Sequence, residues 1–241
     1  MAYTRVMSTP YVLHYAPDNA SLVIRLALEE LGAPYRTVLV DRSVQAQSSP
    51  EYLALNPNGL IPAMETPEGP IFETAAILLW LVDRHGAMGP GVGDTDRAAF
   101  LKWLFFVSNT LHADARILFY AHLYAGEDAS AQDMVRTQIE GRIIRHLGLL
   151  EELAAAKPSF LGASAPSVLD GYVACVMRWV RLYPTDRDKS WFAPETMPHV
   201  FNMLARLEAR PSVQVAIKAE GLGAAPFTDP HHPQPPEGSA I

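Results

Sequence analysis

The chain has 241 residues, of which 49% are hydrophobic and 19% charged, and its formal net charge at pH 7 is −7. Its length allows a large hydrophobic core, its composition excludes intrinsic disorder for most of the chain, and its negative charge argues against a nucleic-acid partner held by bulk electrostatics. A single cysteine, Cys175, excludes an intrachain disulfide, a C-x-x-C redox pair and a thiolate zinc cluster, and we expect no metal site.

The sequence also predicts where the protein resides. Residues 1–10 lack the apolar segment of a signal peptide. The longest apolar stretches, near Trp80 and Phe105, are interrupted by charges well before the roughly 18 residues that a membrane span requires. We therefore expect a cytoplasmic protein with no membrane partner.

The first 86 residues predict a mixed α/β domain. In chain order, the patterns indicate a strand at 11–15, a helix from about 21 to Gly32, a strand at 35–40, a short helix at 51–55, strands at 60–65 and 70–72, and a helix at 73–84. The first three elements form a parallel βαβ unit, and the last two strands form a hairpin.

The rest of the chain predicts helices only. Residues 87–94 contain three glycines and a proline and are the best candidate for a linker. Helical patterns follow at 95–124, 133–156, 167–183 and 197–219. From residue 224 the chain is rich in proline and is expected to be a disordered or draped tail.

These elements define a βαβ–ββα domain over 10–86, a linker over 87–94, an all-helical domain over 95–223 and a tail over 224–241. Four motifs occur in order on them: YAPDNASL at 15–22, NPNGLIP at 56–62, the pair Glu73-Thr74, and SVLD at 167–170. On these motifs the chain resembles the glutathione transferases over roughly residues 11–222. The resemblance implies a thioredoxin-like domain followed by a helical domain, with glutathione as co-substrate.

The resemblance assigns candidate glutathione-binding residues. Ile61-Pro62 resembles the cis-proline turn of the family. A cis peptide bond has a low energetic cost only before proline. In the family this turn exposes the backbone of the residue at the position of Ile61 to the cysteinyl part of glutathione. Glu73 and Thr74 begin a helix, where free N–H groups favour a carboxylate. Thr74 therefore suits the γ-glutamyl carboxylate, and Glu73 suits the γ-glutamyl ammonium.

Two further residues are candidates for the glycyl carboxylate of glutathione. Arg42 and Gln45 follow the second strand, where the family often has a basic or amide group. Asn58 stands where the family frequently has a basic residue, which weakens that anchor.

The reaction at the sulfur of glutathione requires a hydrogen-bond donor that stabilises the thiolate. A free thiol has a pKa near 8.5, and lowering it by two units requires ~2.7 kcal/mol of preferential interaction with the anion. At the first strand–helix junction, Ser21 and Asn19 are about equally good candidates for this donor, and Tyr15 is a weaker one. Ser21 could instead be a plain helix cap.

The same segment resembles the bacterial beta class but departs from its pattern. Asp18 replaces a glycine, and Ala20 replaces the class's cysteine, so a mixed disulfide with glutathione at that position is excluded. His112 matches a beta-class histidine that faces the thiol. On the same long helix, Phe119 and Tyr120 are candidates to contact the second substrate.

Ser167 and Asp170 are expected to form a structural capping box. The resemblance implies a homodimeric glutathione transferase with a role in detoxification, which conjugates the glutathione thiolate to a hydrophobic electrophile without a metal. One alternative is a glutathione-dependent lyase or etherase, dehalogenase or isomerase on the same scaffold. Another is a non-catalytic binding or scaffold protein that kept the fold.

Overall fold

The structure, a computed structural model, describes residues 10–240. The prediction about a signal peptide concerns residues 1–10, of which 1–9 lie outside this range, as does residue 241 at the end of the tail. The elements in chain order are β1 (Tyr11–Tyr15), α1 (Ser21–Leu31), β2 (Tyr35–Leu39), α2 (Pro50–Leu53), β3 (Ala63–Thr66), β4 (Gly69–Phe72), α3 (Thr74–His85), α4 (Arg97–Phe106), α5 (Ala113–Phe119), α6 (His122–Ala125), α7 (Ala129–Ala155), α8 (Val168–Leu182), α9 (Pro198–Glu208) and α10 (Pro211–Glu220).

The first four strands form one sheet in the order β2-β1-β3-β4. β1 is parallel to β2 and antiparallel to β3, and β3 pairs with β4 as a hairpin. All five residues of β1 are buried, because helices cover the sheet. The predicted fold class, a thioredoxin-like domain followed by a helical domain, is confirmed.

The helical half differs from the prediction in three places. The helix predicted over 95–124 contains a π-helical stretch, Val107–His112, and breaks at Tyr120. The helix predicted from 133 begins at Ala129, after an Asp128 side chain that accepts from the Ser130 N–H. The last predicted helix is divided because Pro211 restricts Arg210 to an extended conformation.

The tail is draped over the protein. Phe227 is buried, and the N–H groups of Phe227 and Thr228 donate to Glu208 Oε1 at 2.6 and 2.7 Å. Further along, Glu237 accepts from the Tyr15 hydroxyl, and the Ala240 carbonyl accepts from Arg42. The tail therefore returns from the helical half to the edge of the thioredoxin-like domain. The domain boundaries at 86 and 94 remain predictions.

Candidate active site between the two domains

A cavity of about 550 Å³ lies between the sheet domain and the helices. Its thioredoxin-like side is lined by Asn19, Ala20, Arg42, Gln47, Asn56, Gly59, Leu60, Ile61, Pro62, Glu73 and Thr74. Its helical side is lined by Ser108, His112, Ala113, Arg116, Phe119, Tyr120, Leu123, Tyr172, Trp179, Tyr183, Pro184 and Thr185, and Asp18 and Ala240 complete the wall.

The proline turn before β3 forms one wall of the cavity. The Ile61–Pro62 peptide is cis, as predicted. Asn56 supports the preceding residue, because its Nδ2 donates to the Leu60 carbonyl at 2.6 Å and its Oδ1 accepts from the Asn58 N–H at 3.1 Å. The Asn56 side chain thus stiffens the loop that presents Ile61.

The start of α3 forms the adjacent wall. Glu73 precedes the helix with φ 71° and ψ 118°, and its side chain is exposed, whereas Thr74 is buried. The first N–H groups of a helix have no partner inside the helix and favour an anion. A carboxylate and an unpaired helix start therefore occur side by side on the cavity wall.

The structure separates the two residues predicted for the glycyl carboxylate. Arg42 lines the cavity, and its Nη1 and Nη2 donate to the Ala240 carbonyl at 2.8 Å and the Tyr120 hydroxyl at 3.1 Å. Gln45 is exposed in a left-handed turn with φ 56° and is not part of the lining. Gln47 lines the cavity instead, and its buried Oε1 has no hydrogen-bond partner within residues 10–240.

Of the three candidate thiolate donors, only Asn19 lines the cavity. Its Oδ1 accepts from the Ala20 N–H at 2.8 Å, which leaves Nδ2 as a donor. Ser21 is fully buried; its hydroxyl donates to the Ala16 carbonyl at 3.1 Å and accepts from the Ala16 N–H at 3.3 Å. The Ser21 prediction is corrected, because the Ala16 backbone uses both functions of the hydroxyl.

Tyr15 is also corrected as a donor. Its ring is buried in the core, and its hydroxyl donates to Glu237 of the tail. Burial and the neighbouring Glu237 carboxylate raise the pKa of Tyr15 well above its usual value. The hydroxyl is therefore engaged outside the cavity.

His112 ends the π-helical stretch and lines the cavity. Its Nδ1 lies 2.8 Å from the Tyr172 hydroxyl, and its ring packs on Trp179 with centroids 5.3 Å apart. Burial, with a smaller effect from Arg116, lowers the pKa of His112 to about 4. The imidazole is therefore neutral at pH 7, with Nε2 as its remaining polar atom.

Asp18, which replaces the beta-class glycine, is the centre of a buried hydrogen-bond network. Asp18, with φ 50°, accepts from Arg178 Nε at 2.8 Å and Nη2 at 3.0 Å. It also accepts from Trp179 Nε1 and the Tyr183 hydroxyl, each at 3.0 Å, and its N–H donates to Glu220 at 2.8 Å. The side chains of Asp18 and Arg178 are fully buried.

This network joins both domains and the tail. Arg178 also donates to the carbonyls of Pro226 and His231, each at 3.0 Å. Glu220 is paired with Arg25 of α1 at 2.6 Å, but burial outweighs that pairing and raises the pKa of Glu220 to about 7. Sequence reasoning missed the network, although an arginine within the apolar sequence of α8 was a signal that a buried acid must face it.

The helical side of the cavity is mainly aromatic. Phe119 and Tyr120, the residues predicted to contact a second substrate, both line it. Phe119 packs edge-on against Tyr183 with centroids 6.0 Å apart. Arg116 supplies a cation to this surface.

Ser167 and Asp170 form a reciprocal capping box at the start of α8. Ser167 Oγ accepts from the Leu169 N–H at 3.0 Å, and Asp170 accepts from the Ser167 N–H at 2.8 Å. Asp170 also accepts from the Gly162 N–H at 2.7 Å, which ties the preceding loop to the helix.

Two absences hold for the described part of the chain. Within residues 10–240, no group of three or more His, Cys, Asp or Glu side chains is arranged to hold a metal ion. No helix in the same range has both the length and the apolar character needed to cross a membrane.

Together these features define a two-domain protein with a thioredoxin-like half, a helical half and a ligand cavity between them. A family model described as glutathione S-transferase, N-terminal domain, matches residues 9–83. Glutathione S-transferase GST-4.5 of Xanthomonas campestris is 27% identical over 213 residues, which cover 87% of this chain and 98% of that protein.

Disulfide-bond oxidoreductase YfcG of Escherichia coli is 30% identical over 221 residues, covering 88% of this chain and 96% of the relative. Glutathione transferase BgramDRAFT_1843 from Burkholderia graminis, solved with two glutathione molecules per subunit, is 28% identical with a TM-score of 0.73, covering 89% of this chain and 90% of that one. The chain belongs to the glutathione transferase family of enzymes, as the motifs predicted.

Proposed function

We propose that this protein binds glutathione in the cavity and conjugates its thiolate to a hydrophobic electrophile. The observation that carries the proposal is the set of open polar groups on the thioredoxin-like side. Glu73 is exposed beside the start of α3, Arg42 lines the cavity, and the buried Oε1 of Gln47 has no hydrogen-bond partner in the described part of the chain. These groups are complementary to the charged ends and the amides of glutathione.

Each anchor has a chemical counterpart. The N–H groups at Thr74 and Ala75 suit the γ-glutamyl carboxylate, and the Glu73 carboxylate suits the γ-glutamyl ammonium. Arg42 suits the glycyl carboxylate, and the Ile61 backbone beside the cis peptide suits the cysteinyl amide. The solved relative that binds glutathione supports glutathione as the ligand.

The sulfur chemistry belongs to glutathione. The one cysteine, Cys175, is completely buried, and burial raises the pKa of its thiol well above its usual value. Asn19 Nδ2 and the neutral His112 Nε2 are the side-chain donors proposed to stabilise the glutathione thiolate. After the thiol proton passes to solvent, the thiolate forms a C–S bond to the electrophile, and the leaving group departs with the bonding electron pair.

A second candidate is disulfide reduction by glutathione, favoured by the 30% identity to the disulfide-bond oxidoreductase. In that reaction one glutathione thiolate attacks a disulfide and releases a thiolate, and a second glutathione resolves the mixed disulfide to glutathione disulfide. The products separate the two functions, because conjugation yields a thioether. The homodimer and the cytoplasmic location remain predictions.

The test is an ultraviolet titration of thiolate in bound glutathione from about pH 5 to about pH 9, around the usual thiol pKa. Native protein should show a saturable thiolate signal with a depressed pKa. Asn19→Ala should raise that pKa by about one unit, as expected for loss of one charged hydrogen bond.

The matched control is Ser21→Ala, which removes a neighbouring hydroxyl outside the cavity and should leave the thiolate pKa unchanged. Absence of glutathione binding would favour the scaffold alternative. Binding with an unshifted thiol pKa would refute the activating site.

A further inference from the structure

The cavity has two cationic side chains in its lining, although the chain carries a net charge of −7. Two arginines, Arg42 and Arg116, line it. Neither has a carboxylate partner within residues 10–240: Arg42 donates to a carbonyl and a hydroxyl, and Arg116 Nη1 donates to the Tyr124 hydroxyl at 2.7 Å. Both guanidinium groups therefore keep their charge available to an anionic ligand.

The carboxylates of the lining do not pair with these two arginines. Its two carboxylates are Asp18 and Glu73. Asp18 is saturated by the donors of Arg178, Trp179 and Tyr183. Glu73 lies at the start of α3, on the thioredoxin-like side.

The two arginines define separate positions for anions, because Tyr120 lies between them. Arg42 Nη2 reaches the Tyr120 hydroxyl at 3.1 Å, while the Arg116 guanidinium carbon lies 6.0 Å from the centroid of the same ring. Arg42 thus occupies the hydroxyl end of the ring and Arg116 its face. If the glycyl carboxylate of glutathione takes Arg42, Arg116 is left for the other substrate.

None of the described residues that line the helical side of the cavity around Arg116 is acidic. Phe119, Leu123, Tyr183 and Pro184 line the same side of the cavity. His112, whose pKa is lowered to about 4 by burial and to a smaller extent by Arg116, is neutral at pH 7. A charge-assisted hydrogen bond to Arg116 would therefore be the main polar interaction available there to a bound aromatic molecule.

We propose that the second substrate is a hydrophobic electrophile that carries a carboxylate, and that Arg116 is the specificity-determining residue that binds this carboxylate. The inference rests on the proposed conjugation by glutathione and names the class of its electrophile. A para-(chloromethyl)benzoate illustrates the step: the C–S bond to glutathione forms at the benzylic carbon, the C–Cl bond breaks, and chloride leaves with the electron pair.

The test measures binding, so that it does not depend on turnover. Calorimetry compares glutathione with two conjugates of equal shape, S-(para-carboxybenzyl)glutathione and its neutral carboxamide, S-(para-carbamoylbenzyl)glutathione. The native protein should bind the carboxylate conjugate about tenfold more tightly than the carboxamide, as expected for one charged hydrogen bond.

Arg116→Gln should abolish this preference and leave the affinity for the carboxamide conjugate intact. Arg116→Lys, which restores a positive charge without the planar guanidinium, should recover part of it. The control is Arg145→Gln, which removes the same charge from an exposed position on α7 and should keep the full preference.

Two results would overturn the proposal while leaving glutathione binding intact: equal affinity of the native protein for both conjugates, or a preference that survives Arg116→Gln. If glutathione and both conjugates fail to bind, the proposed function itself is refuted, and this inference with it.

Discussion

On the thioredoxin-like side of the cavity several polar groups are open toward the space, whereas Tyr172, Trp179 and Tyr183 on the helical side are bonded within the protein. Glu73, Gln47 and the start of α3 have unused bonding capacity. Tyr172 is bonded to His112, and Trp179 and Tyr183 donate to Asp18 across the domain boundary. Unused capacity is what a ligand requires, while satisfied buried groups hold the fold together. The open groups should therefore govern the affinity for glutathione, and the bonded groups should govern stability.

The largest effect should come from breaking the buried pair of Asp18 and Arg178. Asp18→Asn keeps a residue that tolerates φ 50° but leaves the Arg178 charge buried and uncompensated, and should reduce the free energy of unfolding by about 3–5 kcal/mol. Urea denaturation measures the loss.

The control for this variant is Asp83→Asn, which breaks the more exposed ion pair between Arg97 and Asp83 and should cost less than about 1 kcal/mol. In the double variant Asp18→Asn/Arg178→Met the costs should be less than additive, because both charges are gone. Equal losses for Asp18→Asn and Asp83→Asn would contradict the division between the two sides.

The same contrast explains which features the sequence revealed. Ile61-Pro62 and Glu73-Thr74 act through backbone geometry at one turn and one helix start. Because these requirements are local, they produce short motifs that can be recognised in the sequence. The pairing of Asp18 with Arg178 spans 160 residues, and no local pattern encodes it. The sequence leaves Ser21 and Asn19 about equal as thiolate donors because both occur at the same strand–helix junction. Only the structure shows that the Ser21 hydroxyl bonds to the Ala16 backbone while Asn19 lines the cavity.

Details of the helical half were also harder to predict from the sequence. Hydrophobic periodicity predicts that residues 95–124 are helical, but it does not reveal the π-helical stretch Val107–His112 that brings His112 to the cavity wall. The sequence also did not determine whether the tail is disordered or draped over the protein. A proline-rich segment becomes ordered through distant partners such as Arg178 and Glu208.

The second-largest effect should come from His112, whose contribution to the free energy of unfolding depends on pH. The unfolded chain protonates this histidine near its ordinary pKa of 6.5, whereas the folded protein keeps it neutral down to a pKa of about 4. Between these values the unfolded state binds more protons, so the free energy of unfolding should fall as the pH falls, by about 3 kcal/mol at most from this group.

His112→Asn removes that contribution. Urea denaturation of the native protein and this variant should therefore show a difference that shrinks as the pH is lowered from 6.5 toward 4 and stays constant above pH 7. A difference that is independent of pH would show that the ring is not held neutral.

The smallest effect on stability and a clear effect on binding should come from Glu73. Its side chain is exposed, so Glu73→Gln should leave the free energy of unfolding within about 0.5 kcal/mol of the native value. Its carboxylate is the proposed partner of the γ-glutamyl ammonium, so calorimetric affinity for glutathione should fall about tenfold, as for loss of one charged hydrogen bond.

A ligand that lacks only the γ-glutamyl amino group supplies the matched control. Because that ligand has no ammonium to lose, native protein and Glu73→Gln should bind it with equal affinity. A loss of equal size for both ligands would mean that Glu73 acts through the shape of the α3 start and not through its charge. The open side of the cavity would then resemble the helical side, where the polar groups work by holding the structure.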